Sequence, residues 1–509
     1  YKYESCLRTL HRQTNGCSVF FYNQLKMESD SRPSKILLLS LLRAGHMVPL
    51  FEVARLFAVR GEHVTFITTP ANATMLQETV DKDVAAGRHV ALHIIPFPSK
   101  EVGLPEGIEN LVHGKDLDTA AKLHMGTYLL QQQIEQFLDE CPPDCIISDV
   151  HHPWTTDAAA RLRIPRLVFH GTSAFARCLE EAVRRPDSPH LMAKSDYEPF
   201  VIPSLPDPIT MMRSQLPGFI LKPDRYTQLV EQWVDAELRS YGTVVNNFYE
   251  LGPAYTDLYK KLMGHNVFNL GPVGLIQQNS GEKAQRAHKA VIGEEECLAF
   301  LNSKTPSSVL YICFGSACIF PDNQLMEIAC GLEASGHNFM WVVFGKDDEK
   351  EGEKEKWLPK GEGMIIKGWA PQLLILDHPS VGGFLTHCGW NSVIEGVTAG
   401  LPMITWPLYA EHFFNEKLVT QVMGIGVGVG KKNWSQWVWD FPENEVVGRL
   451  TIEDAVRRVM DAGDPAAKMV REKARALGKK AREAVEEGGS SYQNLTVLIQ
   501  ELKDREKRG

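Results

Sequence analysis

No apolar run in this 509-residue chain reaches the roughly 18 residues that a membrane helix needs, and "KILLLSLL" at 35–42 falls far short. Positive charge is also in short supply, with 54 lysines and arginines against 63 aspartates and glutamates and a formal net charge of -9. Without a basic surplus to replace counterions on a phosphate backbone, a nucleic-acid partner is excluded. Paired cysteines are missing as well: ten are scattered at 6, 17, 141, 145, 178, 297, 313, 318, 330 and 388, several in apolar runs. They read as small core residues in a reducing compartment, so the expected location is cytoplasmic. No repeat of solenoid period is present. Residues 1–26 hold "CSVFFY" but no extended apolar core ending in a small-residue cleavage site, which makes a poor secretory signal. Followed by Met27 and the polar "ESDSRPSK", they read as a disordered or non-native leader.

A dinucleotide fingerprint is absent too. Gly424-Ile-Gly-Val-Gly-Val-Gly430 lacks the G-x-G-x-x-G spacing and runs into Lys431-Lys-Asn433 rather than opening a helix. An NAD-dependent oxidoreductase is disfavoured on that ground.

What is present is alternation. Strand-type runs at Lys35–Ser40, His63–Thr68, Val90–Ile95, Cys145–Ser148 and Arg166–Phe169 are interleaved with helical patterns such as 48–59 and 154–162. A second series begins at Ser308–Phe314 and continues through Phe339–Phe344, Met364–Ile366, Val381–Leu385 and Met403–Trp406. Buried strands alternating with helices predict parallel sheets, and the length exceeds the about 300 residues at which single cores stop growing. The expected fold class is therefore α/β, with two Rossmann-like doubly wound domains facing across a cleft. The predicted division is 27–276 for the first domain, 277–290 for a polar linker, 291–485 for the second domain, and 486–509 for a C-terminal helix packing back on the first. The charge-dense stretch from Lys346 to Lys356 reads as a solvated loop.

"THCGWNSVIEG" at 386–396 concentrates a histidine, a cysteine and a glutamate between a strand and a helix. The helix is predicted to open at Asn391-Ser392 and to stop at Gly400. Unpaired N–H groups and the positive dipole end favour an anion there, Gly389 allows close approach, and a phosphate fits best. Cys388 has no second cysteine at zinc spacing and His387 would be a lone ligand. From these residues alone, a capped helix with a core histidine is an equal alternative.

The 44 residues from Trp369 to His412, "WAPQLLILDHPSVGGFLTHCGWNSVIEG" through "YAEH", break that tie. They resemble closely the signature box of plant UDP-sugar-dependent glycosyltransferases that act on small lipophilic metabolites. The resemblance implies a GT-B fold and a UDP-sugar co-substrate with no metal requirement. In that pattern Trp369 would stack on uracil, with the backbone of Ala370 bonding the base, and Gln372 and Glu395 would hold the ribose. His387, Asn391, Ser392 and Ser316 would bind the diphosphate at the turn carrying Gly389. Trp390 would lie near sugar and phosphates, and Tyr409 belongs to the same box; Glu411 and His412 would contact the sugar. His46, after the first strand, matches the catalytic base, and Asp149, ending "CIISD", matches the carboxylate that orients it. A histidine suits the task because its pKa lies near neutrality and a carboxylate on its other nitrogen fixes the tautomer.

The D-x-D pairs at Asp81/Asp83 and Asp116/Asp118 lie in polar segments away from strand ends and read as surface charge. Two departures from the family pattern stand out. Leu41-Leu-Arg-Ala44 replaces the usual proline-containing, glutamine-ending approach, and the box ends in His412 where glucose-specific members usually carry glutamine. "WTTDAA", "VFHGTSAFA" and "KKNWSQWVWDF" are similar to a subgroup active on sapogenins, sterols, flavonoids and hormones. The expected function is an inverting O-glycosyltransferase moving glucose, or else galactose or a pentose, to a hydroxylated lipophilic acceptor, the protein acting as a monomer. His151, His152, Phe175 and Met211 could line the acceptor pocket or simply pack. A nucleotide-sugar binding protein without turnover is the reading of another class, disfavoured by His46 and Asp149.

Overall fold

Short aliphatic runs followed by helices build two parallel sheets. The computed structural model describes residues 32–114, 116–276, 283, 291–344, 363–436 and 445–507. The first sheet uses β1 (Lys35–Leu39), β2 (His63–Thr68), β3 (Val90–Ile94), β4 (Cys145–Asp149) and β5 (Arg166–His170). A small antiparallel hairpin follows, β6 (Pro199–Val201) with β7 (Thr210–Met212), and the sheet is completed by β8 (Gly242–Val245) and β9 (Asn266–Asn269). Its order is β3-β2-β1-β4-β5-β8-β9, all parallel. The second sheet contains β10 (Val309–Cys313), β11 (Asn338–Val343), β12 (Gly363–Lys367), β13 (Val381–Thr386), β14 (Met403–Thr405) and β15 (Gly426–Gly428), in the order β12-β11-β10-β13-β14-β15. Strands β4, β5, β8, β10 and β13 are buried along their whole length, as expected where helices cover both faces. The expected α/β class with two doubly wound domains is what is seen.

Each sheet reverses its winding at one place, between β1 and β4 in the first and between β10 and β13 in the second. The crevice beyond the carboxyl ends of strands at such a switch point is where open α/β sheets bind ligands. It places the residues after Leu39 and at Asp149 on one side of the cleft, and those after Cys313 and Thr386 on the other.

Six helices frame or brace this cleft: α1 (Ala44–Val59), α2 (Ala174–Arg184), α3 (Arg225–Leu238), α4 (Trp390–Ala399), α5 (His412–Lys417) and α6 (Ser490–Glu506). Helix α1 begins four residues earlier than the pattern at 48–59 suggests, so His46 stands in the first helical turn rather than in a loop. Pro49 lies inside it, and without an N–H it leaves the carbonyl of Gly45 without its helical partner. Helix α6 carries Leu495, Leu498 and Leu502 into the core of the first domain beside Ile36, Leu38 and Val244. Lys503 pairs with Glu62 at 2.8 Å and Tyr241 donates to Glu501 at 2.7 Å, so the chain's last helix returns to the first domain. No helix among the described residues is long and apolar enough to cross a membrane.

Gly424–Gly430, which lacks the dinucleotide fingerprint, contributes the edge strand β15, and a Cβ at Gly426 would stand 2.6 Å from the Met403 carbonyl of β14. The structure corrects the reading of Asp83 as surface charge: it is 1% exposed and bridges Arg55 and Arg88. The leader 1–26, the stretch 346–356 and, apart from Lys283, the linker 277–290 lie outside the described residues.

Candidate active site

The turn from β13 into α4 is built for close approach. Cys388 adopts a left-handed backbone (φ 67), held by Asn415 Nδ2 donating to its carbonyl at 2.9 Å, and Gly389 caps the helix, which opens at Trp390. The His387 ring is wedged between glycines: a Cβ would come within 2.7 Å of its Nε2 at Gly315, which has φ +77, and within 2.6 Å at Gly389. Ser316, half-buried, follows that first glycine. Burial, helped by the charge of Arg43, lowers His387 to about 4, so at neutral pH the ring offers one donor and one acceptor. Burial pushes the Cys388 thiol well up, which leaves a packed, unreactive sulfur rather than a nucleophile. His387 Nδ1, Asn391 Oδ1 and His412 Nδ1 are buried without a hydrogen-bond partner. Buried polar atoms are nearly always paired, so three such atoms around one helix start point to a ligand with donors and acceptors of its own.

Beside this turn, Gln372 donates to Glu395 Oε2 at 2.7 Å and accepts from Tyr311 at 3.3 Å, which sets the two side chains facing each other. Trp369 and Ala370 are half-buried next to them, Trp369 lying edge-to-face with Phe344 at 5.8 Å between ring centres. Trp390 is placed differently. Its indole is 2% exposed and its Nε1 donates to the Asn246 carbonyl of the first domain at 2.8 Å. The side chain is thereby a tie between domains, and only its backbone belongs to the anion-favouring turn. At the end of the 369–412 stretch, His412 is buried, packing against His387 at 4.8 Å and Tyr409 at 4.3 Å. Burial raises the Glu411 carboxyl and lowers His412, keeping the imidazole neutral.

Across the cleft, His46 Nδ1 meets Asp149 Oδ2 at 2.8 Å, and Asp149 is fully buried at the end of β4. Burial alone would raise this carboxyl, but the charges of His46 and His151 and their hydrogen bonds hold it well below the usual range. Gly171 leaves room for the His46 ring, since a Cβ there would lie 2.9 Å from Cε1. His46 Nε2 has no hydrogen-bond partner among the described residues.

Sequence reasoning did not assign His151 a place in this group. Its Nδ1 lies 2.6 Å from Asp149 Oδ1, its backbone N–H donates to the same oxygen at 3.1 Å, and its ring packs on Trp233 of α3. An acidic side chain accepting from the N–H two residues on is a common turn, and "DVHH" carries that signal. His152 instead bonds the Ser40 carbonyl, and Phe175 and Met211 are 3% and 1% exposed in the core, so these three pack. His46, Asp149 and His151 form the one cluster among the described residues that could hold a metal ion, with ligand atoms within 4.8 Å. Each Nδ1 is already directed at a carboxylate oxygen.

Besides Trp390, two side chains join the halves next to the base. Asn391 Nδ2 donates to the Gly45 carbonyl at 2.6 Å, taking the acceptor that Pro49 left free, and Arg43 donates to the Tyr409 hydroxyl at 2.9 Å. An imidazole seated on a buried carboxylate, facing an anion-favouring helix start on the opposite Rossmann-like domain, is the arrangement of a two-domain GT-B glycosyltransferase. The family described as UDP-glucoronosyl and UDP-glucosyl transferase matches residues 36–435, and the chain belongs to it. It is 52% identical to UDP-glucosyl transferase 73CC6 of Saponaria officinalis, over 92% of this chain and 97% of that one. Identity is 45% to the soyasapogenol B glucuronide galactosyltransferase of Glycine max, over 94% and 97%. The crystal structure of Glycyrrhiza uralensis UGT73P12 complexed with glycyrrhetinic acid 3-O-monoglucuronide superposes with a TM-score of 0.87 at 42% identity, covering 94% of this chain and 97% of that one. The protein is thus a plant UDP-glycosyltransferase of secondary metabolites.

Proposed function

We propose that the protein is an inverting O-glycosyltransferase that moves a hexose, chiefly glucose, from a UDP-sugar to a hydroxyl of a steroidal or triterpenoid sapogenin or of a flavonoid. The observation that supports this most directly is the His46–Asp149 pair at 2.8 Å, with Nε2 unengaged and the α4 start one hydrogen bond away at Gly45. Nε2 takes the acceptor's hydroxyl proton while that oxygen attacks the anomeric carbon; the C–O bond to the diphosphate breaks, and UDP carries the electron pair away. One displacement inverts the centre. Trp369 and Ala370 hold the base, and Gln372 and Glu395 the ribose hydroxyls. Ser316, His387, Asn391 and Ser392, with the backbone N–H groups after Gly389, hold the diphosphate. Preorganised donors at a helix start stabilise the leaving charge, so no metal is needed. The working unit is a monomer, since one chain supplies both halves of the site, and the free cysteines among the described residues favour a reducing, cytoplasmic compartment. A binding protein without turnover would have no use for His46 on Asp149.

A screen of UDP-sugars against sapogenins and flavonoids, with products detected by mass, tests this reading; absence of any glycoside would refute it. Activity is expected to survive EDTA, and a strict need for added Mn²⁺ or Mg²⁺ would overturn the metal-free mechanism.

His412 supports measurable UDP-galactose use beside UDP-glucose. Glucose and galactose differ in one hydroxyl, so the choice rests on one or two hydrogen bonds worth roughly 0.5–3 kcal/mol together. The partnerless, buried His412 Nδ1 is placed to make one of them. His412→Gln is expected to move the kcat/KM ratio toward UDP-glucose. An unchanged ratio would show that His412 does not read the sugar.

A further inference from the structure

Asp149 carries two imidazoles, and the proposed displacement uses only one of them. His46 Nδ1 lies 2.8 Å from its Oδ2, and His151 Nδ1 lies 2.6 Å from its Oδ1. An ionised carboxylate only accepts, so each neutral ring donates from Nδ1 and carries its lone pair on Nε2. Burial lowers the His151 imidazole in spite of Asp149, which keeps that ring neutral. Like the Nε2 of His46, His151 Nε2 has no hydrogen-bond partner among the described residues, and it is not one of the buried polar atoms left unpaired, so it opens to the cleft. The two rings meet edge-to-face at 5.3 Å between centres, with side chains 23% and 20% exposed. Two imidazole lone pairs therefore stand side by side on one buried carboxylate, where a single displacement needs one.

The wall beside His151 is aromatic. Its ring packs on Trp233 at 4.5 Å, Trp233 on Tyr226 at 5.6 Å, and Tyr226 on Phe219 at 5.4 Å. The Tyr226 hydroxyl feels the charges of Glu411 and Arg43, so this row of rings lines the cleft. A flat, apolar acceptor lying along it expels water from His151 Nε2. A desolvated acceptor atom left unpaired is costly, so a ligand that supplies a donor there is favoured over one of the same shape that lacks it. Holding Asp149 in place uses only the His151 Nδ1 and the backbone N–H at 3.1 Å, and gives Nε2 no task. We propose that His151 is a specificity-determining residue whose Nε2 accepts a hydrogen bond from a second acceptor hydroxyl, on the carbon adjoining the one whose hydroxyl His46 deprotonates. This rests on the transferase reading and adds to it the acceptor class, a vicinal diol on a flat apolar skeleton. The second hydroxyl keeps its proton throughout, and only the first is glycosylated.

The test supplies UDP-glucose and UDP-galactose with two acceptor sets: 7-hydroxycoumarin, 6,7-dihydroxycoumarin and 6-methoxy-7-hydroxycoumarin, and a triterpenoid 3-ol beside its 2,3-diol. It uses the full chain and its His151→Asn and His151→Phe variants. Wild type is expected to favour the diol of whichever set it accepts by about tenfold or more in kcat/KM, and the methoxy compound, which has lost the donor, should fall with the mono-ol. An asparagine amide N–H reaches the place of Nδ1, so His151→Asn keeps the donor to Asp149 and loses Nε2 alone. The diol preference should then shrink to about twofold or less, the statistical advantage of having two hydroxyls. His151→Phe should lose the preference as well, and a further fall in kcat common to all acceptors would measure how far His151 also orients Asp149. Equal use of diol and mono-ol by wild type would overturn the proposal while leaving the transferase reading intact. So would a preference retained in His151→Asn, which would trace it to the greater reactivity of the diol itself. No transfer to any acceptor would sink both readings. If neither variant folds, the wild-type comparison still decides.

Discussion

His46→Ala is expected to lower kcat/KM by about 10²- to 10⁴-fold, the range typical of removing a general base, while leaving the Kd for UDP within about twofold. The separation follows from where the groups stand. The nucleotide contacts expected of Trp369, Gln372, Glu395 and the α4 start all come from the second domain, and His46 touches the first domain through Asp149 and Gly171. Calorimetry with UDP beside steady-state rates checks it; a comparable loss of UDP affinity would show that His46 holds the nucleotide instead. Asp149→Asn should cost a similar amount for a different reason. Asp149 receives a ring nitrogen on each oxygen, from His46 and from His151. An amide can accept from one and must donate to the other, so one imidazole is forced into the opposite tautomer. If the amide turns its oxygen to His151, the His46 proton moves to Nε2, where the acceptor hydroxyl should be met by a lone pair. The loss should therefore appear in kcat with little change in the Kd for UDP.

Most of the sheet framework was legible because long buried strands are continuous apolar runs: β1, β2, β10 and β13 lie within a residue of where the pattern puts them. Strands β8, β9 and β15 were not among the expected ones. They are three or four residues long, and β15 contains two glycines, which carry no side-chain pattern. The start of α1 was hidden for another reason: a proline is at home in a helix's first turn, so Pro49 suits a start at 48, whereas it is accommodated in the second turn with the carbonyl it leaves free taken up by Asn391. In the candidate site, residues within one motif could be seen, but contacts across the cleft could not. Arg43 and Tyr409 are 366 residues apart, and Asn391 and Gly45 are 346 apart; no local periodicity encodes either pairing. Trp390 shows the converse limit. Its place in the motif suggests a ligand contact, whereas its indole binds Asn246 and holds the domains together.

The same dependence on distant partners makes Glu237 the residue whose loss should most damage stability. It lies fully buried on α3, accepting from Thr243 at 2.9 Å and from the Tyr259 hydroxyl, with His170 Nε2 at 2.9 Å and Arg177 at 3.7 Å. Burial alone would raise its carboxyl, yet His170, Arg177 and Tyr259 together hold it well below its ordinary 4.5. Removing one partner of a buried charged group leaves the others uncompensated, at about 3–5 kcal/mol. Glu237→Ala should therefore lower the unfolding temperature of the first domain by roughly 6–20 °C, given about 2–4 °C per kcal/mol for a domain of this size. The sign with pH is fixed by the depressed carboxyl. Its contribution is fully present above the unfolded value near 4.5 and is lost as pH falls through the folded value, so the gap between wild type and variant should narrow below about pH 4.5. The damage should also reach the chemistry. His170 ends β5, and the next residue, Gly171, is the one packed against the His46 ring, so a loosened His170 loosens the seat of the base. Glu237→Gln keeps the shape and one acceptor, and should lie between wild type and alanine in both stability and kcat. Calorimetric unfolding of the three proteins at pH 7 and pH 4 measures this; a variant as stable as wild type at pH 7 would mean that the charge at Glu237 is not what orders this end of the sheet.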